Sequence, residues 1–124
     1  MKSDIAHRED LLNLVTEFYK KLLADSSISH FFTTVTHLDL DKHLPVLADF
    51  WEMILFQTGT YQNHPMAVHI QLHQKSPIEK HHFDTWLRYF TETVNELFEG
   101  ANAENAKQRA TSIAGIMQAK VGAY

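Results

Sequence analysis

Apolar residues recur at helical spacing along nearly the whole of this 124-residue chain. Side chains three or four positions apart share one face of a helix, whereas a half-buried strand would alternate apolar and polar residues. The sequence contains no such alternating tract, no internal repeat and no low-complexity segment. It therefore predicts an all-α fold with about four long helices and two short ones. We expect residues 1–124 to form a single domain, because a chain of this length has no room for a second core.

Polar residues mark the predicted ends of the first two long helices. The first pattern ends at Asp25, and Asp39 or Asp41 is suited to cap the second. Pro45 is acceptable only in or near the first turn of that second helix, where backbone N–H groups lack partners anyway. The predicted inward face of the first helix comprises Leu11, Leu12, Val15, Phe18, Tyr19, Leu22 and Leu23.

The last two long helices carry start and stop signals. Ser76 is suited to cap the third helix, with Pro77 at its first position and Glu79 reaching back in a capping box. Gly100 ends that helix, and Asn102 is suited to cap the last one. The residues predicted to face inward are Phe83, Trp86, Leu87, Phe90, Val94 and Leu97 on the third helix and Ala106, Ala110, Ile113, Ala114, Met117 and Val121 on the fourth.

Composition excludes several classes of function. The chain has no cysteine, which rules out disulfides, thiolate metal sites and cysteine nucleophiles. Its 11 basic and 15 acidic residues give a net charge of −4. Since no basic stripe stands out, we do not expect nucleic-acid binding. The N-terminus lacks an apolar signal region and no apolar run reaches the length of a membrane span, so we expect a cytoplasmic protein. We also expect it to be monomeric or weakly self-associating.

His69 and His73 are the strongest metal-ligating candidates among nine histidines. They lie four apart and so share a helix face, and Leu72 one turn from His69 can pack on a flat ligand. One interpretation is a neutral imidazole that ligates a haem iron. The other is a non-haem zinc or iron site that recruits the nearby carboxylates Asp49 and Glu52. A third interpretation makes either histidine an ordinary surface residue.

Tyr19, Trp51 and Trp86 combine an apolar ring with one polar atom. Such residues commonly keep the polar atom at the protein surface. Alternatively, the hydroxyl or indole N–H points into a cavity, where a ligand oxygen can be its partner. His43, near the start of the second helix, is either exposed or lines the mouth of a pocket as a gate.

In combination, four segments of the chain resemble truncated haemoglobins, specifically their third group. FYKKLLAD, which starts at Phe18, is similar to the helix that carries the family's gas-facing tyrosine. HLPVLADFW, which starts at His43, is similar to the helix that brings a distal histidine and a tryptophan. PMAVHIQL resembles the segment of the proximal iron ligand, and HFDTWLRYF, which starts at His82, resembles the motif of the distal tryptophan. The similarity covers roughly Asp10 to Val121.

This resemblance implies a truncated globin fold, a 2-on-2 helical sandwich around haem b. Counting forward from Pro65 makes His69 the proximal iron ligand, whereas counting back from Trp86 favours His73; we take His69. The resemblance assigns Tyr19, His43 and Trp86 to the distal gas pocket. The residues implied to contact the haem are Phe32, His43, Leu47, Trp51, His69, Leu72 and Phe90.

The function implied by the resemblance is reversible binding of O2, and of NO and CO, at a five-coordinate haem iron with Tyr19 and Trp86 as hydrogen-bond donors. An alternative within the family is an NO dioxygenase or peroxidase-like enzyme, which would need electrons from an external reductase. An alternative outside the family is a non-haem metal-binding helical protein. No side chain is predicted to act as a catalytic residue.

Overall fold

A computed structural model describes residues 2–30, 40–56 and 78–121, and these segments contain four long helices. They are α1 (Arg8–Ala24), α2 (Leu40–Phe56), α3 (Lys80–Leu97) and α4 (Ala101–Val121). No strand occurs in these segments. The all-α prediction and the four long helices are therefore confirmed. The short helix predicted after Pro65 lies outside the described residues. None of the described helices is long and apolar enough to cross a membrane.

The helices form two layers of two around a shared core. α1 packs on α2 in one layer and α3 packs on α4 in the other, while α1–α3 and α2–α4 contacts join the layers. The residues predicted to face inward on α3 and α4 largely do so: Phe83, Phe90 and Val94 are buried. On α4 the buried positions are mostly alanines, which allow the neighbouring helices to approach closely.

The inward face of α1 differs from the prediction at two leucines. Leu14, which the prediction omitted, is completely buried, whereas Leu12 is 37% exposed. Leu23 is only partly buried. The buried set follows the three- and four-residue steps from Leu11 through Leu14 and Phe18 to Leu22, and Leu12 falls to one side of that stripe.

The start of α3 also differs from the prediction. Ile78 and Glu79 are not helical, and α3 begins at Lys80 with Glu79 as its N-cap residue. The assignment of Ser76 as the cap and Pro77 as the first helical residue was therefore wrong. Here the Glu79 backbone N–H donates to Nδ1 of His82 at 2.9 Å, so a histidine closes the first turn.

The cap of α4 comes from the other end of the chain. The Asp4 carboxylate accepts hydrogen bonds from the backbone N–H groups of Asn102 at 3.0 Å and Ala103 at 2.9 Å. Asn102 therefore lies inside the helix rather than capping it, and its side chain donates to the Ile5 carbonyl at 2.7 Å. Partial burial opposes ionisation of Asp4, but the backbone N–H bonds outweigh it and lower the pKa of this carboxyl.

Gly100 makes room for this cap. Its φ of +147° is one that residues with a Cβ rarely adopt, and a Cβ there would lie 2.4 Å from Asp4 Cγ. The N-terminal segment is further tied by the Glu99 N–H, which donates to the Ser3 carbonyl at 3.0 Å. Ile5 is 1% exposed as a result. The first residues of the chain thus fix the junction between α3 and α4.

Candidate distal pocket

Tyr19 and His43 meet between α1 and α2. The Tyr19 hydroxyl lies 3.1 Å from His43 Nε2, and the two rings pack edge to face with centroids 5.5 Å apart. Tyr19 is buried and His43 half-buried. Burial raises the pKa of Tyr19, so the phenol stays protonated across the physiological range and keeps its donor hydrogen. A buried phenol and an imidazole in hydrogen-bond contact thus form a polar site between α1 and α2.

His43 is the fourth residue of α2 and Pro45 the sixth. Pro45 therefore lies in the second turn of the helix, slightly beyond the predicted position, and Asp41 lies inside the helix rather than capping it. A proline at this depth removes one backbone hydrogen bond from the helix. The Arg8 guanidinium donates to the Pro45 carbonyl at 3.2 Å, which holds this part of α2 against α1.

Arg8 is a site-positioning residue that the sequence pattern did not reveal. Its guanidinium also forms an ion pair with Asp49 and approaches Glu52 at 3.8 Å. The pairing spans 41 positions in the chain, so no local motif announces it. These contacts engage the two carboxylates that a non-haem metal site would have required. Within the described residues, no group of three or more potential ligand side chains could hold a metal ion.

A cluster of aromatic rings lies beside the Tyr19–His43 pair. Phe18 packs edge to face against Trp86, with centroids 5.6 Å apart, and against Phe90, with centroids 5.3 Å apart. Phe90 stacks nearly parallel to both tryptophans, at 4.8 Å from Trp51 and 5.7 Å from Trp86. The structure thus brings Trp51, Trp86 and Phe90 together, from two helices that are distant in sequence. Phe18, which the prediction treated only as core, joins them to Tyr19.

Helix α2 is apolar but incompletely covered. Among its side chains that the structure describes, only Ala48 and Trp51 are buried. Its other large apolar side chains pack against the core while remaining partly exposed: Leu44, Leu47, Phe50, Ile54, Leu55 and Phe56. Such a face, next to a buried phenol and imidazole, suits a large flat apolar group that carries one polar centre. The described part of the pocket therefore fits a haem.

The remaining predicted site residues fall outside the described segments. These are Phe32, His69 and Leu72, together with the rival ligand His73. Their assignments stay predictions. The described half of the predicted site comprises Tyr19, His43, Leu47, Trp51, Trp86 and Phe90, all from α1, α2 and α3.

Comparison with known proteins agrees with this geometry. Residues 3–119 match the family described as bacterial-like globin. The chain is 26% identical over 121 residues to the group 3 truncated hemoglobin ctb of Campylobacter jejuni, which covers 95% of this chain and 93% of that protein. It is also 31% identical over 80 residues to a group 1 truncated hemoglobin of Tetrahymena pyriformis, which covers 64% of this chain and 61% of that protein.

A crystal structure with the same fold supports the helical arrangement. The group III truncated hemoglobin from Campylobacter jejuni superimposes with a TM-score of 0.85 at 24% sequence identity, over 96% of this chain and 94% of that one. The chain belongs to the bacterial-like globin family. The predicted resemblance to truncated haemoglobins and the 2-on-2 sandwich fold are thereby confirmed. Membership of this family implies haem-based binding of diatomic gases.

Proposed function

We propose that this protein binds O2 reversibly at haem b, with His69 as the proximal iron ligand and Tyr19 and Trp86 as donors to the bound gas. The observation that supports it best is the buried Tyr19 hydroxyl, 3.1 Å from His43 Nε2, beside the aromatic cluster that contains Trp86. Haem b, when bound, supplies an iron with one position open to a diatomic ligand. The chain's own residues then decide how long the ligand stays.

Tyr19 can donate to the gas while it accepts from His43. A phenol oxygen accepts one hydrogen bond while its O–H donates another. When the His43 Nε2–H donates to the Tyr19 oxygen, the phenol hydrogen is directed away from the imidazole and toward the pocket. The raised pKa of Tyr19 keeps that hydrogen in place at neutral pH. His43 therefore orients the donor, and its half-buried ring lies where it can also gate entry.

The aromatic cluster keeps water out and orients the second donor. Trp86 is held between the edge of Phe18 and the face of Phe90. An indole N–H that is constrained in this way donates to a ligand without first losing rotational freedom. Leu47 and Trp51 contribute apolar surface for the haem face. Exclusion of water strengthens each hydrogen bond to a ligand that has gained negative charge.

The test is O2 dissociation measured by stopped flow on the haem-loaded protein. A hydrogen bond to a charged acceptor contributes about 1.5–3 kcal/mol. Tyr19→Phe or Trp86→Phe should therefore release O2 roughly 10- to 100-fold faster. Tyr89→Phe is the matched control, since that hydroxyl donates to Asp25 at 2.6 Å and takes no part in the pocket. Unchanged dissociation in both pocket variants would rule out the two donors.

A second stopped-flow experiment, with NO, separates binding from turnover. Tyr19 and His43 would suit an NO dioxygenase or a peroxidase-like enzyme as well, because a slowly released, hydrogen-bonded ligand favours oxygen chemistry over transport. Such an enzyme needs an external electron donor. Stopped-flow mixing of the O2-loaded protein with NO should then consume the complex within one turnover and stop unless a reductant is added. We place reversible binding first because it requires no external electron donor.

A further inference from the structure

His82 is a buried titratable side chain that the gas pocket does not use directly. It is 7% exposed. Its Nδ1 accepts the Glu79 N–H at 2.9 Å and so closes the first turn of α3. A nitrogen that accepts a hydrogen bond carries no proton, so the ring proton of neutral His82 lies on Nε2. The ring also makes a hydrogen bond with the backbone of Ser27, in the turn that follows α1, and it packs against the His30 ring with centroids 5.9 Å apart.

His82 therefore joins the start of α3 to the end of α1. α1 carries Tyr19 and Phe18, and α3 carries Trp86 four residues, or about one helical turn, beyond His82 on the same face. The edge of Phe18 packs on Trp86 with centroids 5.6 Å apart. A change in the first turn of α3 therefore reaches Trp86 in two ways: along the helix itself, and through the contact of Trp86 with Phe18 of α1.

We propose that His82 is a positioning residue for Trp86: its neutral ring holds the first turn of α3 against α1, and protonation of the ring at mildly acidic pH releases that turn. The inference rests on the proposed function only where Trp86 donates to the gas. The link between His82 and Trp86 stands on the contacts alone.

The groups that face His82 favour the neutral ring. His81 on the same helix has its ring centroid 4.0 Å away, and His30 on the segment after α1 has its centroid 5.9 Å away. Burial, followed by any positive charge on these two rings, lowers the pKa of His82, while Glu79 and the Ser27 backbone partly oppose the shift. The ring is therefore neutral at pH 7, because its pKa lies below the ordinary histidine pKa of about 6.5.

A second tie between the same helices does not respond to mild acid. The Tyr89 hydroxyl donates to Asp25 at 2.6 Å, which joins α3 to the end of α1 two turns further along. Hydrogen bonds from the Ser27 side chain and from Tyr89 lower the pKa of Asp25 to about 2. This contact persists at pH 5, so protonation of His82 loosens only the first turn of α3.

The first turn of α1 shows how a helix start of this kind is closed by a side chain other than histidine. At the start of α1, Asp10 occupies the position that His82 occupies in α3, and its Oδ2 accepts the His7 N–H at 3.0 Å. A carboxylate at this position closes a helix turn without a titration between pH 5 and 8. His82→Asp should therefore preserve the acceptor for the Glu79 N–H while removing the pH-dependent step.

The test uses NMR on the reduced, CO-saturated protein, which is diamagnetic. Imidazole ¹⁵N spectra should show His82 as the Nε2–H tautomer with a midpoint below about 6.5. The indole N–H signal of Trp86, assigned with Trp86→Phe, should move with the same midpoint. His82→Asp should abolish that movement. His81→Asn should retain it at a higher midpoint, because it removes the electrostatic contribution of His81 that lowers the pKa of His82. The inference is overturned if the Trp86 signal does not move with the His82 midpoint. It is also overturned if that signal still moves with the same midpoint in His82→Asp.

The gas-binding arm distinguishes this inference from the proposed function. Between pH 7.5 and pH 5.5, O2 dissociation should become roughly three- to tenfold faster in the unmodified protein and stay nearly constant in His82→Asp and in Trp86→Phe. If the protein binds no haem, the proposed function fails, while the same NMR titration of the haem-free protein still decides the link. If it binds O2 and Trp86 does not respond to His82, only the inference fails.

Discussion

The interior of α1 and the apolar face of α2 are built from similar residues but are buried to different extents. On α1, Leu11, Leu14 and Leu22 are completely buried, and the helix packs on α2 and α3. On α2, Leu44 and Leu47 are only partly covered. Apolar surface that is already buried stabilises the fold, whereas apolar surface that remains exposed is available for a ligand. The difference indicates that the α1 interior contributes mainly to stability, whereas α2 keeps apolar surface available for a ligand.

Truncation of the α1 interior gives the largest expected effect. Leu14→Ala should lower the free energy of unfolding by about 2–5 kcal/mol, because it removes a fully buried side chain and leaves a cavity. Leu12→Ala is the matched control on the same helix, since Leu12 is 37% exposed. We expect that control to stay within about 0.5 kcal/mol of the unmodified protein. Urea unfolding followed by circular dichroism measures both free energies of unfolding. Equal decreases in the two variants would contradict the distinction between the buried and the exposed face of α1.

The junction that Asp4 caps should give the next largest effect. Gly100→Ala forces a Cβ toward the Asp4 carboxyl at an unfavourable φ and should cost about 1–3 kcal/mol of stability. Gly115→Ala is the control, because a Cβ there meets nothing within 4 Å and the residue lies within α4. It should be neutral or stabilise the protein by up to about 1 kcal/mol. Thermal unfolding that ranks the two variants in the opposite order would contradict this account of the cap.

The α2 face should give a small stability effect and a distinct ligand effect. Leu47→Ala should lower the haem-free unfolding energy by about 1 kcal/mol, well below Leu14→Ala, because Leu47 is already partly exposed. It should nevertheless accelerate haem loss, measured by transfer of haem to an apomyoglobin acceptor, because it removes apolar contact surface. Haem loss that is equally fast in Leu12→Ala would show that α2 has no special role.

Local spacing was sufficient to predict the parts of the molecule that depend on helix geometry. It predicted four long helices and most of their inward faces, because a helical repeat determines which side chains share a face. The two adjacent leucines at 11 and 12 exposed its limit. Both satisfy the pattern approximately, and only packing against α2 and α3 decides that Leu14 rather than Leu12 is buried.

Contacts between distant segments could not be predicted in this way. The Asp4 cap on α4 spans 98 positions, and the Arg8 contacts to α2 span about 40. Neither carries a motif at fixed spacing. His82 was overlooked for a related reason: its acceptor role is local, but its burial depends on the turn after α1. Residues that join helices are thus harder to find from sequence than residues that define them.

The visible absorption spectrum of the reduced, haem-supplemented protein tests the central claim most directly. The unmodified protein and His73→Ala should each show a Soret band that shifts on addition of O2 and again with CO. His69→Ala should lose that band or alter it grossly, because the proximal ligand is gone. A normal spectrum in His69→Ala together with its loss in His73→Ala would transfer the ligand role to His73. Failure of the unmodified protein to bind haem would contradict the account as a whole.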